Sequence, residues 1–521
     1  MKNVLEWLEH TAGEYPDKPA FIGEKTVTFA QVMNWAKAIG TYIARQDGLE
    51  PVAVFQSRTV TTPALYAGIV YGGRAYAPID ATLPEKRIGK ILDNLKPSII
   101  LSDRSSEPRL WEIAQQLFGD ARPNILVVDF ERETICEATD EQTHLEEMAL
   151  TKQHIDEQVL TAIRDQMSMT DPLYMIYTSG SSGNPKGVMT SHLSLITYIN
   201  AYCKVMNIDA DDCLGNQSPL DYIAAIRDIY IPYKTGCSTA IIPKEYFMEP
   251  NELFTYMNEK HVTAVGWSVS ALTVPLKLGA FEEVELESLN KVCFSGSVMP
   301  CSALKVWQEH LPNALFVNQY GPTETTASCT YYVVDHKVTD EEVLPIGRAY
   351  DNYKVFLLDE AGHVANRGEI CVAGPILALG YYNDPERTSK SFVNNPANEA
   401  YPERIYRTGD IGSLDEEGVL HFHGRMDRQV KHMGHRVELD EVEYAANAVE
   451  GITESACLYH KPKEVLYLYY AGDVDRRSLS LALRQSIPGF MVPRKLVQME
   501  LLPKLPNGKI DLKKLEGEMR S

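Results

Sequence analysis

Residues 177–187 read Tyr-Thr-Ser-Gly-Ser-Ser-Gly-Asn-Pro-Lys-Gly. Their three glycines allow backbone conformations and close approaches that a Cβ atom would block, and the serine and threonine hydroxyls add hydrogen-bond donors. Lys186 brings a positive charge that suits phosphate oxygens. The preceding residues 173–176 are apolar and predict a buried strand that leads into this loop. The stretch therefore predicts a loop that holds a polyphosphate, with a flexible surface turn as the alternative.

The spacing of this loop differs from that of the P-loop of nucleoside triphosphatases, because no Gly-Lys-Ser or Gly-Lys-Thr opens a helix here. The loop resembles instead the signature loop of the adenylate-forming enzymes: acyl-CoA synthetases, luciferases and the adenylation domains of nonribosomal peptide synthesis. Four further blocks follow in that family's order: Asn-Gln-Tyr-Gly-Pro-Thr-Glu-Thr at 318–325, Tyr-Arg-Thr-Gly-Asp at 406–410, Gly-Arg-Met-Asp-Arg-Gln-Val-Lys at 424–431 and Leu-Pro-Asn-Gly-Lys-Ile-Asp at 505–511. The resemblance covers essentially the whole chain.

Composition excludes several classes of protein. A chain of 521 residues with a formal net charge of −21 is long enough for two or more domains and repels nucleic acid and anionic membranes on average. No segment approaches about 18 uninterrupted apolar residues, and the N-terminus lacks the apolar core of a signal peptide. The nine cysteines are scattered without a Cys-x-x-Cys pair and are typical of reduced, mostly buried thiols. We expect a cytoplasmic protein with neither nucleic acid nor a membrane as partner.

Apolar runs of strand length alternate with helical patterns through most of the chain, for example at 52–55, 99–101 and 125–128. This alternation predicts an α/β fold with parallel strands. The polar residues 131–169 predict exposed helices and connections. After Gly424, a helix opening at Leu439 and a strand-like run at 465–470 predict a small α+β domain of about 95 residues. The resemblance implies a large layered core at 1–426 that includes a β-barrel subdomain, and a small mobile lid at 427–521 hinged at Asp427.

The resemblance also implies a reaction in which a carboxylate attacks the α-phosphate of ATP and pyrophosphate leaves. Such a site needs cations and oriented donors, so ATP and Mg²⁺ are the predicted cofactors, with Glu324 as the metal ligand. Taken alone, Glu324 would more often be a solvated loop carboxylate, and a lone Thr-Gly-Asp would favour a turn cap at Asp410. Within Tyr-Gly-Pro-Thr-Glu the metal-binding role of Glu324 is favoured instead. The predicted catalytic residues are Lys186, Thr323, Glu324 and Lys509. The predicted nucleotide-binding residues are Thr178, Ser179, Gly180, Ser181, Ser182, Gly183, Asn318, Tyr320, Gly321, Asp410 and Arg425.

Substrate choice is predicted to depend on residues 218–223, Ser-Pro-Leu-Asp-Tyr-Ile. An aspartate among apolar neighbours needs a cationic partner, and in the amino-acid-activating branch the matching aspartate pairs with the substrate ammonium. Asp221 falls on that position, with Asp228 as a rival whose neighbour Arg227 favours a structural role. The resemblance implies a pocket without Lys or Arg, which favours a neutral amino acid over Asp or Glu. Its predicted lining is Tyr222, Ala225, Gly266, Cys293, Ser295, Gln319, Ala327 and Ser328.

The second half-reaction requires a thiol acceptor. The sequence contains no Leu-Gly-Gly-x-Ser of a fused carrier domain and no His-His-x-x-x-Asp of a condensation domain. We therefore expect a separate acyl or peptidyl carrier protein whose phosphopantetheine thiol attacks the adenylate, and the basic residues Arg494, Lys495, Lys513 and Lys514 suit an acidic carrier. D-alanine–carrier-protein ligases are one alternative within this class. An acyl- or aryl-CoA synthetase is an alternative that shares the ATP site, and a binding protein that kept the fold is a third.

Overall fold

The computed structural model describes residues 2–139, 147–180, 183–505 and 509–520. The chain divides into two compact units. The first unit comprises Met1–Ala81, Leu95–Ile176 and Val188–Gly424, and the second comprises Thr82–Asn94, Tyr177–Gly187 and Arg425–Ser521. The predicted boundary between residues 426 and 427 lies close to the start of the last segment, and the hinge role of Asp427 stays a prediction.

The helices and strands are numbered in chain order. The helices are α1 (Leu5–Glu14), α2 (Phe29–Ile43), α3 (Thr62–Tyr71), α4 (Glu85–Leu95), α5 (Glu107–Phe118), α6 (Glu157–Gln166), α7 (His192–Met206), α8 (Ile226–Thr235), α9 (Pro250–Glu259), α10 (Val269–Lys277), α11 (Cys301–His310), α12 (Pro385–Ser391), α13 (Leu439–Asn447), α14 (Arg476–Arg484) and α15 (Leu512–Arg520). The first strands are β1 (Pro19–Ile22), β2 (Thr26–Thr28), β3 (Val52–Gln56), β4 (Tyr76–Asp80), β5 (Ile99–Asp103), β6 (Asn124–Asp129), β7 (Thr134–Ala138), β8 (Met148–Ala149), β9 (Pro172–Thr178), β10 (Lys186–Ser191), β11 (Cys213–Asn216), β12 (Ser238–Ile241), β13 (Ala264–Ser268) and β14 (Lys291–Ser295). The remaining strands are β15 (Leu315–Tyr320), β16 (Thr330–Val333), β17 (Arg348–Ala349), β18 (Lys354–Leu358), β19 (Arg367–Ala373), β20 (Gly380–Tyr381), β21 (Phe392–Asn394), β22 (Arg404–Leu414), β23 (Leu420–Arg425), β24 (Gln429–His432), β25 (His435–Glu438), β26 (Ile452–His460), β27 (Val465–Gly472) and β28 (Lys495–Met499).

Two nine-stranded sheets organise the large part of the chain. One has the order β17-β16-β15-β14-β13-β11-β12-β1-β2 and the other β20-β10-β9-β4-β3-β5-β6-β7-β8. Their central neighbours pair in parallel, as β13 with β14 and β3 with β4 do. All five residues of β3 are buried, which explains why its first four residues form a continuous apolar run rather than an alternating pattern. The predicted α/β class with parallel strands is confirmed.

The polar segment departs from its prediction at two strands, β7 and the short β8, which pair antiparallel with each other. Thr134–Ala138 forms β7 instead of a helix or connection and pairs antiparallel with β6. Ile135 and Cys136 are buried there, so their apolar side chains justify a strand inside an otherwise polar stretch. The expected helical character is present in α6, which is amphipathic and buries Leu160. All nine cysteines of the chain are buried free thiols, in agreement with their predicted state.

A third sheet has the order β18-β19-β22-β21, with β23 also paired to β22. The pairs β18 with β19, β19 with β22 and β21 with β22 are antiparallel. This five-stranded sheet occupies the part of the sequence for which the resemblance predicts the barrel subdomain. Its main consequence for the site is that β22 carries Asp410.

The C-terminal segment of the second unit contains the three-stranded sheet β26-β27-β28 and the hairpin β24-β25. Its core consists of apolar residues from the sheet and from helices α13 and α14, including Val442, Leu468 and Leu483. The predicted helix at Leu439 and strand at 465–470 correspond to α13 and β27. In the described ranges, no helix combines the length and apolarity that a membrane crossing requires.

Candidate active site

Several predicted site residues of the first unit lie on neighbouring parallel strands or at their carboxyl ends. Strands β11, β13, β14 and β15 are consecutive neighbours, and Gly266 on β13 lies in register with Cys293 on β14. In turn, Phe294 on β14 lies in register with Asn318 on β15. In open α/β sheets the carboxyl edge of the strands is where ligands bind, because the loops there can vary without disturbing the sheet. The sheet thus brings together residues that lie far apart in the sequence.

The turn after β15 folds back on itself. A Cβ atom at Gly321 would lie 2.5 Å from the Cα atom of Ser328, so only glycine fits at this approach. Thr326 and Ala327 have φ angles of 51° and 75°, in the left-handed region that costs energy for residues other than glycine. This strained turn brings the Ser328 hydroxyl to donate to Gln319 Oε1 at 3.2 Å. Two predicted pocket residues are therefore joined by one hydrogen bond.

Glu324 lies in a short 3-10 turn at Thr323–Thr325 and is fully buried, with 0% exposure. The Tyr381 hydroxyl donates to its Oε1 at 2.8 Å, and the Ala378 amide donates to its backbone carbonyl at 2.9 Å. The solvated loop carboxylate considered above is therefore wrong. Thr323 beside it is also buried.

A buried carboxylate of this kind fits one ligand of a Mg²⁺ ion that keeps waters and phosphate oxygens as its other ligands. Across the residues that the structure describes, no group of three or more His, Cys, Asp and Glu side chains is arranged to hold a metal by itself. The donor set thus fits a metal that arrives with the nucleotide better than a cage built by the protein alone.

Asp410 lies within strand β22, where the pairing with β19 is irregular between Glu369 and Cys371. Gly409 has a φ angle of 73°, and its amide donates to Glu369 at 2.9 Å. The turn predicted from Thr-Gly is therefore a β-bulge inside a strand, a device that redirects a side chain. Asp410 is buried and accepts a hydrogen bond from the Tyr320 hydroxyl.

Tyr320 and Asn318 accompany Asp410 in the first unit. Burial and the neighbouring carboxylate of Asp410 hold the pKa of Tyr320 well above its ordinary value, so the hydroxyl remains a donor. The Asn318 side-chain amide donates to the Pro345 carbonyl at 2.8 Å, which fixes its orientation. Three predicted nucleotide-binding residues are thus buried or partly buried and held in place.

Asp221 is half-buried and lines a small polar cleft at the ends of β3 and β4, together with Arg58, Asp80 and Tyr66. The Tyr66 hydroxyl donates to the Leu220 carbonyl at 3.3 Å. Burial is the main cause that raises the pKa of Tyr66, and the negative charge of Asp221 adds to it. Arg58 and Asp80 are not among the predicted site residues, although Asp80 is the last residue of strand β4 and therefore lies at a carboxyl edge where ligands bind.

The other predicted lining residues have mixed surroundings. Ala225 is fully buried in the main core, and Tyr222 and Ala327 are partly buried against that core. Ser295 ends β14 in register with Ser268 of β13. Of these four positions, Ser295 lies at the carboxyl end of a strand, and the role of all four as pocket lining stays a prediction.

Arg227, which the sequence indicated only as a structural neighbour of Asp228, contacts three of the predicted pocket residues. It lies in the first turn of α8 with only 2% exposure, and its guanidinium is in contact with Gly266, Cys293 and Gln319. The prediction that this pocket contains no arginine is therefore wrong. Burial opposes its charge, but neighbouring tyrosines, Cys293 and Asp228 hold the pKa of Arg227 above its ordinary value.

Asp228, the rival to Asp221, is completely enclosed. Asn216 donates to its Oδ2 at 2.7 Å, and its backbone carbonyl accepts from the Thr239 hydroxyl at 2.7 Å. Burial raises the pKa of Asp228 to about 6, against the opposing effect of Arg227. These contacts are typical of a structural carboxylate.

The predicted phosphate loop lies in the second unit, where the side chain of Glu441 in helix α13 contacts its backbone. The Gly180 amide donates to Glu441 Oε2 at 3.3 Å, and the Ser179 hydroxyl donates to the Arg436 carbonyl at 2.8 Å. Glu441 also forms a buried ion pair with Arg87 of α4. One backbone amide of this loop thus donates to a carboxylate of the protein itself, and binding of a polyphosphate by the loop stays a prediction.

Other loop residues have polar surroundings in the same unit. Gly183 has a φ angle of 75°, and its carbonyl accepts from Lys90 at 2.5 Å. The Thr178 hydroxyl is buried and has no hydrogen-bond partner among the described residues, which fits a donor kept for a ligand. Burial raises the pKa of Glu438, while the charges of Arg436 and Lys186 oppose that rise. Ser181 and Ser182 lie outside the described residues.

Arg425 and Asp427 form a two-pronged ion pair, with Nε to Oδ1 at 2.6 Å and Nη2 to Oδ2 at 2.8 Å. Although burial works against ionisation, Arg425 holds the pKa of Asp427 below its usual range. Arg425, a predicted nucleotide-binding residue, is thus hydrogen-bonded to Asp427, the predicted hinge.

Lys509 is exposed, and its backbone carbonyl accepts a hydrogen bond from the Leu505 amide at 2.7 Å. Residues 506–508 of its block lie outside the described residues.

Comparison with known proteins agrees with this fold. The chain is 28% identical to a D-alanine--D-alanyl carrier protein ligase of Bacillus cytotoxicus, over 99% of each chain. Among solved structures, this chain resembles the Vibrio cholerae adenylation domain AlmE, which was solved in complex with glycyl-adenosine-5'-phosphate. The TM-score is 0.85 at 24% identity, and the match covers 100% of this chain and 98% of that chain. A fatty acyl CoA synthetase of Mycobacterium tuberculosis has a TM-score of 0.67 at 20% identity, with 99% and 98% covered.

The family model of AMP-binding enzymes matches residues 8–382, which is more than half of the sequence and includes the loop at 177–187, the block at 318–325 and Asp221. The chain therefore belongs to the AMP-binding enzyme family.

Proposed function

We propose that this protein activates an amino acid as aminoacyl-AMP and then transfers it to the phosphopantetheine thiol of a carrier protein. The observation that carries the amino-acid part is Asp221, a half-buried carboxylate in a polar cleft at the carboxyl ends of β3 and β4. A substrate ammonium is a suitable partner for a carboxylate withdrawn from water. The names of relatives that act on a D-alanyl carrier protein or hold a glycyl adenylate support the same class.

In the first half-reaction, a substrate carboxylate oxygen forms a bond to the α-phosphorus of ATP, and the bond to pyrophosphate breaks. Tyr320 and Asp410 would hold the nucleoside, because Asp410 can accept from ribose hydroxyls while the Tyr320 hydroxyl fixes its orientation. We assign Lys186, the loop amides and the hydroxyls of Thr178 and Thr323 to phosphate oxygens. Glu324 would hold Mg²⁺, which neutralises phosphate charge when it is bound.

Lys509 would neutralise the charge that develops between the attacking carboxylate and the α-phosphate. In the second half-reaction, a thiolate sulfur bonds to the acyl carbon of the adenylate and AMP leaves with the electron pair of the broken bond. Asp427 as hinge would let the lid residues serve both steps, since only the first of them requires the Lys509 charge.

The first test is ATP–pyrophosphate exchange with a panel of amino acids, fatty acids and aryl acids. Exchange that depends on an amino acid supports the proposal, and exchange with fatty or aryl acids alone would replace it with an acyl- or aryl-CoA synthetase. D-alanine belongs in the panel beside L-alanine, because the curated relatives are named as D-alanine ligases.

The acceptor needs its own test. Arg494, Lys495, Lys513 and Lys514 are exposed, and their charge would attract an acidic carrier. Changing all four to Glu should slow carrier loading and leave pyrophosphate exchange unchanged, with rising salt weakening the wild-type loading. The matched control changes four exposed lysines elsewhere in the chain to Glu, namely Lys96, Lys152, Lys277 and Lys337. Efficient transfer to free coenzyme A with no preference for a carrier would overturn this part of the proposal.

A further inference from the structure

Arg227 is a buried cation in the middle of the predicted amino-acid pocket. Its Nη2 donates to the Gly266 carbonyl at 2.7 Å and its Nη1 to Gln319 Oε1 at 3.3 Å. Its Nε donates to the Ala224 carbonyl at 3.2 Å. All three guanidinium nitrogens therefore have acceptors supplied by the protein, which fixes the plane of the group.

The guanidinium also takes up space. A Cβ atom at Gly266 would lie 2.9 Å from its central carbon and 3.0 Å from Nη2, so the group lies directly against the Gly266 backbone. Tyr202 covers it on another side, with 5.4 Å from the guanidinium carbon to the ring centroid. Small residues at Gly266 and Ala225 would suit a roomy pocket, but here the arginine side chain occupies the room beside Gly266.

We propose that Arg227 is a specificity-determining residue that closes the side-chain pocket and limits the substrate to the smallest amino acids, glycine and alanine. This inference rests on the proposed function, because it names the substrate class of the same site. A substrate with a larger side chain would have to displace a guanidinium that is bonded at three nitrogens.

The opposite use of a buried arginine is to bind an acidic substrate side chain. The structure disfavours this use for two reasons. Backbone carbonyls and Gln319 already accept from the guanidinium, and the next residue, Asp228, supplies a buried negative charge beside it. An incoming carboxylate would be a second anion in the same enclosed region.

The test is the substrate profile of the wild-type protein and of Arg227→Ala and Arg227→Met in pyrophosphate exchange. Wild type should use glycine or alanine at least about 100-fold better, in kcat/KM, than leucine or phenylalanine. Arg227→Ala should raise the ratio of leucine to glycine by about ten-fold or more, because it opens space beside Gly266. Arg227→Met removes the charge but keeps most of the length, so it should widen the profile less.

Arg74→Ala is the matched control. Arg74 is another buried arginine that donates to backbone carbonyls, those of Gln46 and Asp47, away from the pocket. Its loss tests for general destabilisation and should leave the ratio of leucine to glycine unchanged. If Arg227→Ala does not fold, the wild-type profile and Arg227→Met still decide the question.

The possible outcomes distinguish a failure of the proposed function from a failure of the role proposed for Arg227. Wild-type exchange that no amino acid supports would refute the proposed function. Amino-acid-dependent exchange with a preference for leucine, phenylalanine, aspartate or glutamate would keep that function and overturn the role of Arg227. An unchanged profile in Arg227→Ala, or an equal shift in Arg74→Ala, would also overturn it.

Discussion

Replacing Glu441 with Gln tests how the loop at 177–187 is held. Glu441 is 3% exposed in its side chain and Arg87 is 8% exposed, so their ion pair is buried within the second unit. The second carboxylate oxygen accepts from the Gly180 amide at 3.3 Å. Glutamine keeps one oxygen but loses the charge, so one of the two donors loses its acceptor.

The magnitude follows from those contacts. Removing one partner of a buried pair costs about 3–5 kcal/mol, and a hydrogen bond to a charged group contributes about 1.5–3 kcal/mol. Since glutamine retains part of the contact, we expect a loss of about 2–3 kcal/mol in local stability. That loss corresponds to a rise of roughly 30- to 150-fold in the equilibrium for local opening.

Hydrogen exchange measured by mass spectrometry on a peptide that contains Gly180 provides the assay. The Gly180 amide should exchange faster in Glu441→Gln by the factor above, with a lower thermal midpoint of the protein. The control is Glu386→Gln, which removes an exposed pair with Lys390 and should change neither quantity measurably. Unaltered exchange at Gly180 in Glu441→Gln would refute the claim that this carboxylate holds the loop.

Three further predictions concern the chemistry. Asp221→Asn should lower kcat/KM for amino-acid-dependent exchange by about 100- to 1,000-fold, because the substrate ammonium loses its charged partner. ATP affinity measured by calorimetry should stay within about two-fold. Retention of most exchange would contradict the amino-acid assignment. Lys509→Ala should slow adenylate formation by about 100-fold or more, and it should slow thiol transfer from supplied aminoacyl adenylate far less. Stopped-flow measurements of both steps test this, and equal losses would argue against a lid with two roles. Burial raises the pKa of Asp228 from its ordinary value of 3.8 to about 6. Between pH 3.8 and 6, the folded protein therefore holds a proton that the unfolded chain has lost. The stability that this group contributes consequently falls as the pH rises through that window. Asp228→Asn should remove this fall, which thermal midpoints at pH 4.5 and 6.5 would reveal as a smaller pH difference than in wild type.

Continuous apolar runs and turn residues were sufficient to predict much of the architecture. The runs at 52–55 and 99–101 are strands β3 and β5 because parallel central strands are buried on both faces and need apolar side chains throughout. The helix at Leu439 and the strand at 465–470 were predicted for similar local reasons. Local sequence patterns were therefore sufficient to predict these strands and this helix.

The sequence could not reveal arrangements that depend on distant partners. Arg227 is adjacent to Asp228 at a helix start, which is ordinary for a solvated pair, and its importance appears only when strands β13, β14 and β15 bring Gly266, Cys293 and Gln319 around it. The bulge at Gly409 depends on its pairing with β19 and has the same local sequence as a turn. The buried carboxylate of Glu324 accepts a hydrogen bond from Tyr381, 57 residues away in the sequence.

The composition of the second unit has a consequence for how the protein is made. Segments Thr82–Asn94 and Tyr177–Gly187 belong to the same compact unit as residues from Arg425 onward, which are synthesised roughly 240 residues after the loop. At about 5–20 residues per second, the ribosome needs on the order of 10–50 s to reach those partners. During that interval Arg87 and the Gly180 amide have no Glu441 to bind, so the amphipathic helix α4 and the glycine-rich loop emerge before the residues that complete their unit. Release or proteolysis of the nascent chain before residue 441 would therefore leave this unit without Glu441, and the loop can gain that contact only once the later segment has been synthesised.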